Sequence, residues 1–145
     1  MNIRPAHDSD FAEVAALLHA VKLPLEGVPE HFSEFLVARA DAGELLGCVG
    51  QERYGDVTLL RSLAVNPSQR GNGLGRELTL ELLSAARAYG TREVVLLTNM
   101  AAAFFQKHFG FTPVERNRYD GVLAASVEWK LPHCASAVCL MLPLV

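Results

Sequence analysis

The chain is short of sulfur, of positive charge and of long apolar runs, and each shortage removes a class of function. Its 145 residues include three cysteines, Cys48, Cys134 and Cys139, an odd and small number that makes no disulfide framework. A reducing, cytoplasmic setting is therefore expected. Thirteen Lys and Arg stand against sixteen Asp and Glu, a formal charge of −3, so no overall positive field draws in nucleic acid. The longest apolar stretch, residues 134–145, contains Ser136 and Pro143 and falls well short of a membrane-spanning helix, which needs about 20 residues. It reads as a buried strand with its approach, and no membrane role is expected. The first residues, Met1-Asn2-Ile3-Arg4-Pro5, lack the basic-then-apolar order of a secretion signal. Neither a repeat nor a linker divides the sequence, so one domain over residues 1–145 is expected.

What is present is an alternation of period-2 and period-3.6 segments, the pattern of a mixed α/β domain. Ile3 opens a short strand that Pro5 ends. Asp8 or Ser9 can cap a helix with Phe11, Val14, Ala15, Leu17 and Leu18 on its apolar face. Pro24, Gly27 and Pro29 make residues 21–32 an irregular loop or a broken helix. Residues 35–39, 45–52 and 57–65 read as strands separated by Asp41-Ala42-Gly43 and Tyr54-Gly55-Asp56, hence an antiparallel meander. A helix follows with Leu74, Leu78, Leu82, Ala85 and Tyr89 along one side and Gly90 at its left-handed C-cap. Residues 94–98 read as a buried strand, 101–109 as a helix ended by Gly110, and 111–114 and 138–142 as the last strands.

The chemistry concentrates in Leu63-Ala64-Val65-Asn66-Pro67-Ser68-Gln69-Arg70-Gly71-Asn72-Gly73-Leu74-Gly75-Arg76. Three alternating glycines between a strand end and a helix start let the backbone approach a ligand without Cβ clashes. The helix leaves its first amides unpaired and aimed at the same point, which makes an anion site, most often for phosphate. Arg70 and Arg76 add the positive charge that the chain as a whole lacks. A P-loop needs Gly-Lys-Ser/Thr, but Gly75 is followed by Arg76-Glu77; a dinucleotide fingerprint needs a third glycine one residue later and an acid ending the next strand, where Thr98-Asn99 stands. A pyrophosphate site of another kind remains.

Arg70-Gly71-Asn72-Gly73-Leu74-Gly75, preceded by Leu63-Ala64-Val65-Asn66-Pro67, resembles the (Q/R)-x-x-G-x-(G/A) signature of the GNAT acetyltransferases. Leu97-Thr98, Phe105-Gln106 and Gly110-Phe111-Thr112-Pro113-Val114 look like the acetyltransferase domain of bacterial N-acetylglutamate synthases. Glu128-Trp129 and Cys134-Ala135-Ser136-Ala137 are similar to short relatives that include the arsenic-resistance N-acetyltransferases. The resemblance implies a GNAT fold: a largely antiparallel sheet of six or seven strands, flanked by about four helices and splayed between strands four and five. It also implies acetyl-CoA binding. The amides of Gly71, Asn72, Gly73, Leu74, Gly75 and Arg76, with Arg70, would hold the pyrophosphate. Leu63, Ala64 and Val65 would pair with pantetheine like an added strand, and an amide there, assigned to Leu63, would polarise the thioester carbonyl. Asn99 would contact the pantetheine arm, and Phe104 or Phe105 would lie along the cofactor.

The chain departs from the family where acid and base belong. The glutamate expected early in strand four is Leu59, and the tyrosine expected before the Gly-Phe pair is replaced by Phe105 or Gln106. Glu52 is then the candidate base, against a reading as an exposed hairpin charge, and Tyr54 or Tyr119 the candidate acid, against ordinary half-buried aromatics. Arg61, Ser62 and Ser136 are candidate contacts for a small-molecule amine acceptor, glutamate-like or organoarsenical; Cys134 stands where the resemblance expects a carboxylate-binding arginine. No metal is expected, since Cys134 and Cys139 lack a partnering His or Cys spacing. A catalytically weak CoA-binding module and a protein N-acetyltransferase are the other readings. The apolar last strand admits pairing with a second copy, a homodimer.

Overall fold

Seven strands form one sheet in the order β1-β2-β3-β4-β5-β7-β6: β1 (Asn2–Pro5), β2 (Leu36–Arg39), β3 (Leu45–Tyr54), β4 (Val57–Val65), β5 (Glu93–Thr98), β6 (Thr112–Pro113) and β7 (Val138–Pro143). The computed structural model of the chain describes residues 1–144, the side chain of His133 excepted; Val145, the last residue of the expected domain, lies outside the described residues. β1 to β4 run antiparallel to their neighbours, as the turn residues between them predict. β4 and β5 are parallel, with the helical crossover that such a pair requires. Gly50 is a close approach within this meander: a Cβ there would fall 2.2 Å from the Phe35 ring, which fills the space instead.

Four helices cover the sheet: α1 (Phe11–Ala20), the one-turn α2 (Val28–His31), α3 (Leu74–Tyr89) and α4 (Ala102–Phe109). Leu74, Leu78, Leu82, Leu83 and Ala86 of α3 pack with Leu46, Val49, Leu60, Val94, Phe105 and Phe111 in the largest core. Val14, Leu17 and Leu18 of α1 close a second core with Val28, Phe32, Phe35 and Val37. Gly90 ends α3 in the left-handed region at φ 107°, as expected of that glycine.

Three expectations need correction. Neither Asp8 nor Ser9 caps α1: those residues form a 3-10 turn with Asp10, whose carboxylate accepts from the His7 amide while Arg4 and Arg39 bind it. Strand 111–114 shrinks to Thr112–Pro113: the Phe111 amide turns back to the Phe105 carbonyl, and beyond Pro113 a single bond from the Val114 amide to the Cys139 carbonyl remains. Residues 115–137, read only as a polar connection, bury Tyr119, Leu123 and Trp129 against Val57, Leu59, Val95 and Cys139. Arg116 fixes this segment: it donates to the carbonyls of Cys134 and Trp129, and its guanidinium stacks 4.6 Å from the Trp129 ring centroid.

Candidate active site

β4 touches β5 only through Val57–Glu93, Thr58–Val94 and Leu59–Val95, and from Leu60 onward the two strands part. A bulge assists. Cys48 faces Ala64 and Gly50 faces Arg61, so Ser62 and Leu63 together oppose the single residue Val49. Ser62 adopts φ 60°, a left-handed conformation rare outside glycine and costing of order 1–3 kcal/mol. On the other wall, Thr98 ends β5 and its hydroxyl accepts from the amides of Met100 and Ala101, turning the chain into α4 and leaving Asn99 at the opening.

The parted strands enclose a cavity of about 580 Å³. Arg61, Ser62, Leu63, Ala64 and Val65 form one wall, Leu97, Thr98, Asn99 and Phe104 the other; the loop residues Val21, Lys22, Leu23 and Pro24 and, beyond them, Glu128, Cys134 and Ala137 complete it. A hollow of about 370 Å³ adjoins it, lined by Gly71, Gly73, Leu74, Arg76 and His108. Val65, Arg70, Gly75 and Phe104 belong to both, so the two are continuous. Gly71 and Gly73 have φ 87° and 78°, and nothing lies within 4 Å of where their Cβ atoms would stand. The amides of residues 71–76 have no hydrogen-bond acceptor among the described residues. Open space, unpaired donors and two arginines fit a diphosphate.

Arg61 lies at the far end of the cavity with its guanidinium fully buried behind the wall. Its Nη1 donates to Glu52 at 2.7 Å, its Nη2 to the Pro24 carbonyl at 3.2 Å and its Nε to Ser62 Oγ at 3.0 Å; Glu128 stands 3.3 Å from the same Nε. Tyr54 donates to Glu52 at 2.5 Å, and His31 approaches that carboxylate to 3.6 Å. Burial by itself would raise the Glu52 carboxyl, but hydrogen bonds from Tyr54 and Arg61 outweigh it and hold the group below the usual range. Burial and the Glu52 charge push the Tyr54 phenol up. Glu128 has weaker support: burial pushes it up to about 7, with Arg61 opposing and Glu52 adding to the rise.

Of the expected site residues, the structure brings Arg61, Ser62, Leu63, Ala64, Val65, Arg70, Gly75, Asn99 and Phe104 to the cavity and Gly71, Gly73, Leu74 and Arg76 to the adjoining hollow. Asn72 is exposed at the loop tip between two lining glycines. Phe105 lies in the core instead, 3% exposed, leaving Phe104 as the aromatic on the wall. Glu52 and Tyr54 sit behind Arg61 rather than on the cavity surface, and Ser136 is exposed off the wall between Cys134 and Ala137. Tyr119 is engaged elsewhere, donating to Glu93. Sequence reasoning missed Glu128; its one signal was a carboxylate beside Trp129 in a segment whose apolar residues follow no regular period.

Residues 6–111 match the Acetyltransferase (GNAT) family. The chain belongs to that family. The GNAT chain is 32% identical over 122 residues to an amino-acid acetyltransferase of Mycobacterium tuberculosis H37Rv, covering 78% of this chain and 69% of that protein. It is 29% identical over 119 residues to an amino-acid acetyltransferase of Neisseria meningitidis serogroup B, covering 75% of this chain but only 27% of that longer protein. A Mycobacterium tuberculosis protein crystallised with CoA superposes with a TM-score of 0.81 at 26% identity, each chain covered completely. The N-acetylglutamate synthase of Neisseria gonorrhoeae, complexed with coenzyme A and N-acetyl-glutamate, shares the GNAT fold with a TM-score of 0.80 at 24% identity, over 99% of this chain and 35% of that one. The splay between strands four and five and the seven-stranded mixed sheet are thus those of the family. Among the described residues no helix is long and apolar enough to cross a membrane.

Proposed function

We propose that the chain is an acetyl-CoA-dependent N-acetyltransferase acting on a small amine, the α-amino group of an amino acid or amino-acid analogue. The observation that carries this reading is the cradle of unpaired amides at residues 71–76, opening without a break into the cleft between β4 and β5. Acetyl-CoA, when bound, supplies the acetyl group as a thioester. The cradle holds its diphosphate with Arg70 and Arg76. Residues 60–65 of β4 have no β5 partner and offer main-chain groups to the pantetheine amides in the manner of an added strand. Leu63, in the bulge, provides the amide that polarises the thioester carbonyl, a preorganised donor that needs no reorganisation during reaction. Asn99 and Phe104 flank the arm from the opposite wall.

The acceptor occupies the end of the cavity beyond β4. Arg61, its guanidinium buried behind the wall, and the exposed Lys22 make this end of the cavity favourable to an acceptor carboxylate. Glu52 and Tyr54 act as positioning residues: they hold the guanidinium in place without touching the cavity. Amino-acid acetyltransferases among the relatives support this acceptor class. Glutamate-like acceptors and arsenic- or phosphorus-containing amino-acid analogues are the members to test.

Calorimetric CoA binding of wild type and Gly73→Asp tests the placement. The substitution puts a carboxylate at the diphosphate and an L side chain at φ 78°. Like-charge repulsion of about 1 kcal/mol or more and left-handed strain of about 1–2 kcal/mol that distorts the cradle correspond to about a hundredfold weaker binding. A folded variant with unchanged affinity refutes the cradle. Thiol release over a panel of amino acids and analogues then tests the activity; tight CoA binding with no release for any amine supports a CoA-binding module instead.

A further inference from the structure

Two carboxylates, Glu52 and Glu128, meet two cations, Arg61 and Lys22, at the far end of the cavity. Arg61 is matched by Glu52, which is wholly buried and accepts from both Arg61 and Tyr54. Glu128 is the second carboxylate. Among the described residues it is the one carboxylate on the cavity wall, and its side chain is 8% exposed. Its side chain makes no hydrogen bond among the described residues; the Arg61 Nε proton that it faces at 3.3 Å is directed to Ser62 Oγ. Carboxylate oxygens that reach the cavity without a hydrogen bond are free to accept one from a ligand there.

We propose that Glu128 is the catalytic residue that receives the acceptor's ammonium group and takes its proton. This assignment rests on the acetyltransferase reading. An amine in water at neutral pH is mostly protonated and has no lone pair for attack. At Glu128 one N–H bond breaks and an O–H bond forms on the carboxylate, leaving the neutral amine in the cavity. The freed lone pair makes the C–N bond as the C–S bond of the thioester breaks, and a second amine proton leaves with the coenzyme as its thiol. Glu128 returns its own proton to solvent through the cavity mouth before the next turnover. The step thus uses one ammonium and one carboxylate and conserves every proton. Its location also answers the departure noted in the sequence: Leu59 stands where a strand-four glutamate is expected, and Glu128 brings a carboxylate to the same cavity from the segment before β7.

The charged groups that move the Glu128 titration are Arg61 of β4, which lowers it, and Glu52 of β3, which raises it; Ser62, Cys134 from the turn before β7 and Lys22 from the loop after α1 line the same cavity. Burial is the largest influence and moves the carboxyl up to about 7. Below that value it is protonated and cannot accept, so the rate is lost as pH falls.

Thiol release from acetyl-CoA is measured for the twenty amino acids between pH 5.5 and 9 with wild type, Glu128→Gln and Glu128→Asp. For each amino acid turned over, wild-type kcat/KM should rise through pH 7 and then level; in Glu128→Gln it should fall by about 10²-fold or more at pH 7 and climb without that break, following the amino group's own loss of its proton. Glu128→Asp should keep the break at reduced rate. CoA affinity should be unchanged throughout, and Glu128→Gln should melt close to wild type, since Glu128 makes no hydrogen bond of its own among the described residues and Arg61 keeps its ion pair with Glu52. Wild-type release that survives in Glu128→Gln with that break intact overturns the assignment alone. No release from any amino acid by wild type overturns the acetyltransferase reading and this assignment with it.

Discussion

Two clusters of charge in this molecule use the same residue types to opposite ends. Near the N-terminus, Arg4 and Arg39 face Asp10 and Glu13 in equal number, and the donors are in register: Asp10 accepts at 2.8 and 3.0 Å from Arg4 and 2.8 Å from Arg39, and Glu13 at 2.8 and 3.0 Å from Arg39. The hydrogen bonds from Arg4 are the main reason that the Asp10 carboxyl is held far below the usual carboxylate range. In the cleft, one arginine serves two glutamates, and only Glu52 is fully hydrogen-bonded. The first cluster is complete and stitches β1, α1 and β2 together. The second is incomplete, and its unfilled member faces the cavity. A charge cluster with every carboxylate hydrogen-bonded marks a structural knot; a carboxylate free to accept beside open space marks a site awaiting a ligand.

Removing the arginine should break the cleft cluster most severely. Arg61→Met leaves two buried carboxylates without a counter-charge, a loss of about 3–5 kcal/mol in denaturant unfolding, and among molecules that stay folded the acceptor KM rises more than that of acetyl-CoA. Combining it with Glu52→Gln should restore most of the stability without restoring acceptor affinity, which separates the two roles of the guanidinium. A smaller effect is expected in the N-terminal knot. Asp10→Asn keeps the shape and removes the charge, a cost of about 1.5–3 kcal/mol, with thiol release unaltered. Because the folded Asp10 is more acidic than the unfolded one, its contribution is complete above the ordinary carboxylate value of about 4 and disappears as pH falls toward the lowered folded value. Wild-type stability should therefore decline on acidification below about pH 4, and Asp10→Asn should show a flatter acid limb. Ser136→Ala, at an exposed position off the wall, should change the acceptor KM by no more than about twofold.

Local chemistry explains which parts were legible in the sequence. The meander was readable because Gly43 and Gly55 punctuate apolar runs that are buried almost throughout, and the cradle because its glycines and helix start act through the backbone, where sequence position alone fixes the geometry. The bulge at Ser62 was not, since a serine with φ 60° carries no compositional mark. Glu52 gave the right neighbourhood but the wrong surface: strand alternation cannot say whether a carboxylate meets a cavity or the guanidinium in front of it. Glu128 was hidden for a different reason. The segment that delivers it is held by Arg116 on two carbonyls and by Trp129 donating to Asp120, tertiary contacts between residues that no periodicity links.

The narrow seam between β4 and β5 gives distant residues leverage over the reaction space. Only three facing pairs join the two wings of the sheet, backed by the buried contact between the hydroxyls of Thr58 and Thr91 at 2.7 Å. Those residues act as the pivot of a pair of tongs: a small change in angle there is magnified along the diverging strands into a change of gap at Leu63 and Asn99. Evolution could thereby retune which acceptors fit by altering side chains at the pivot, while every residue in contact with them stayed the same.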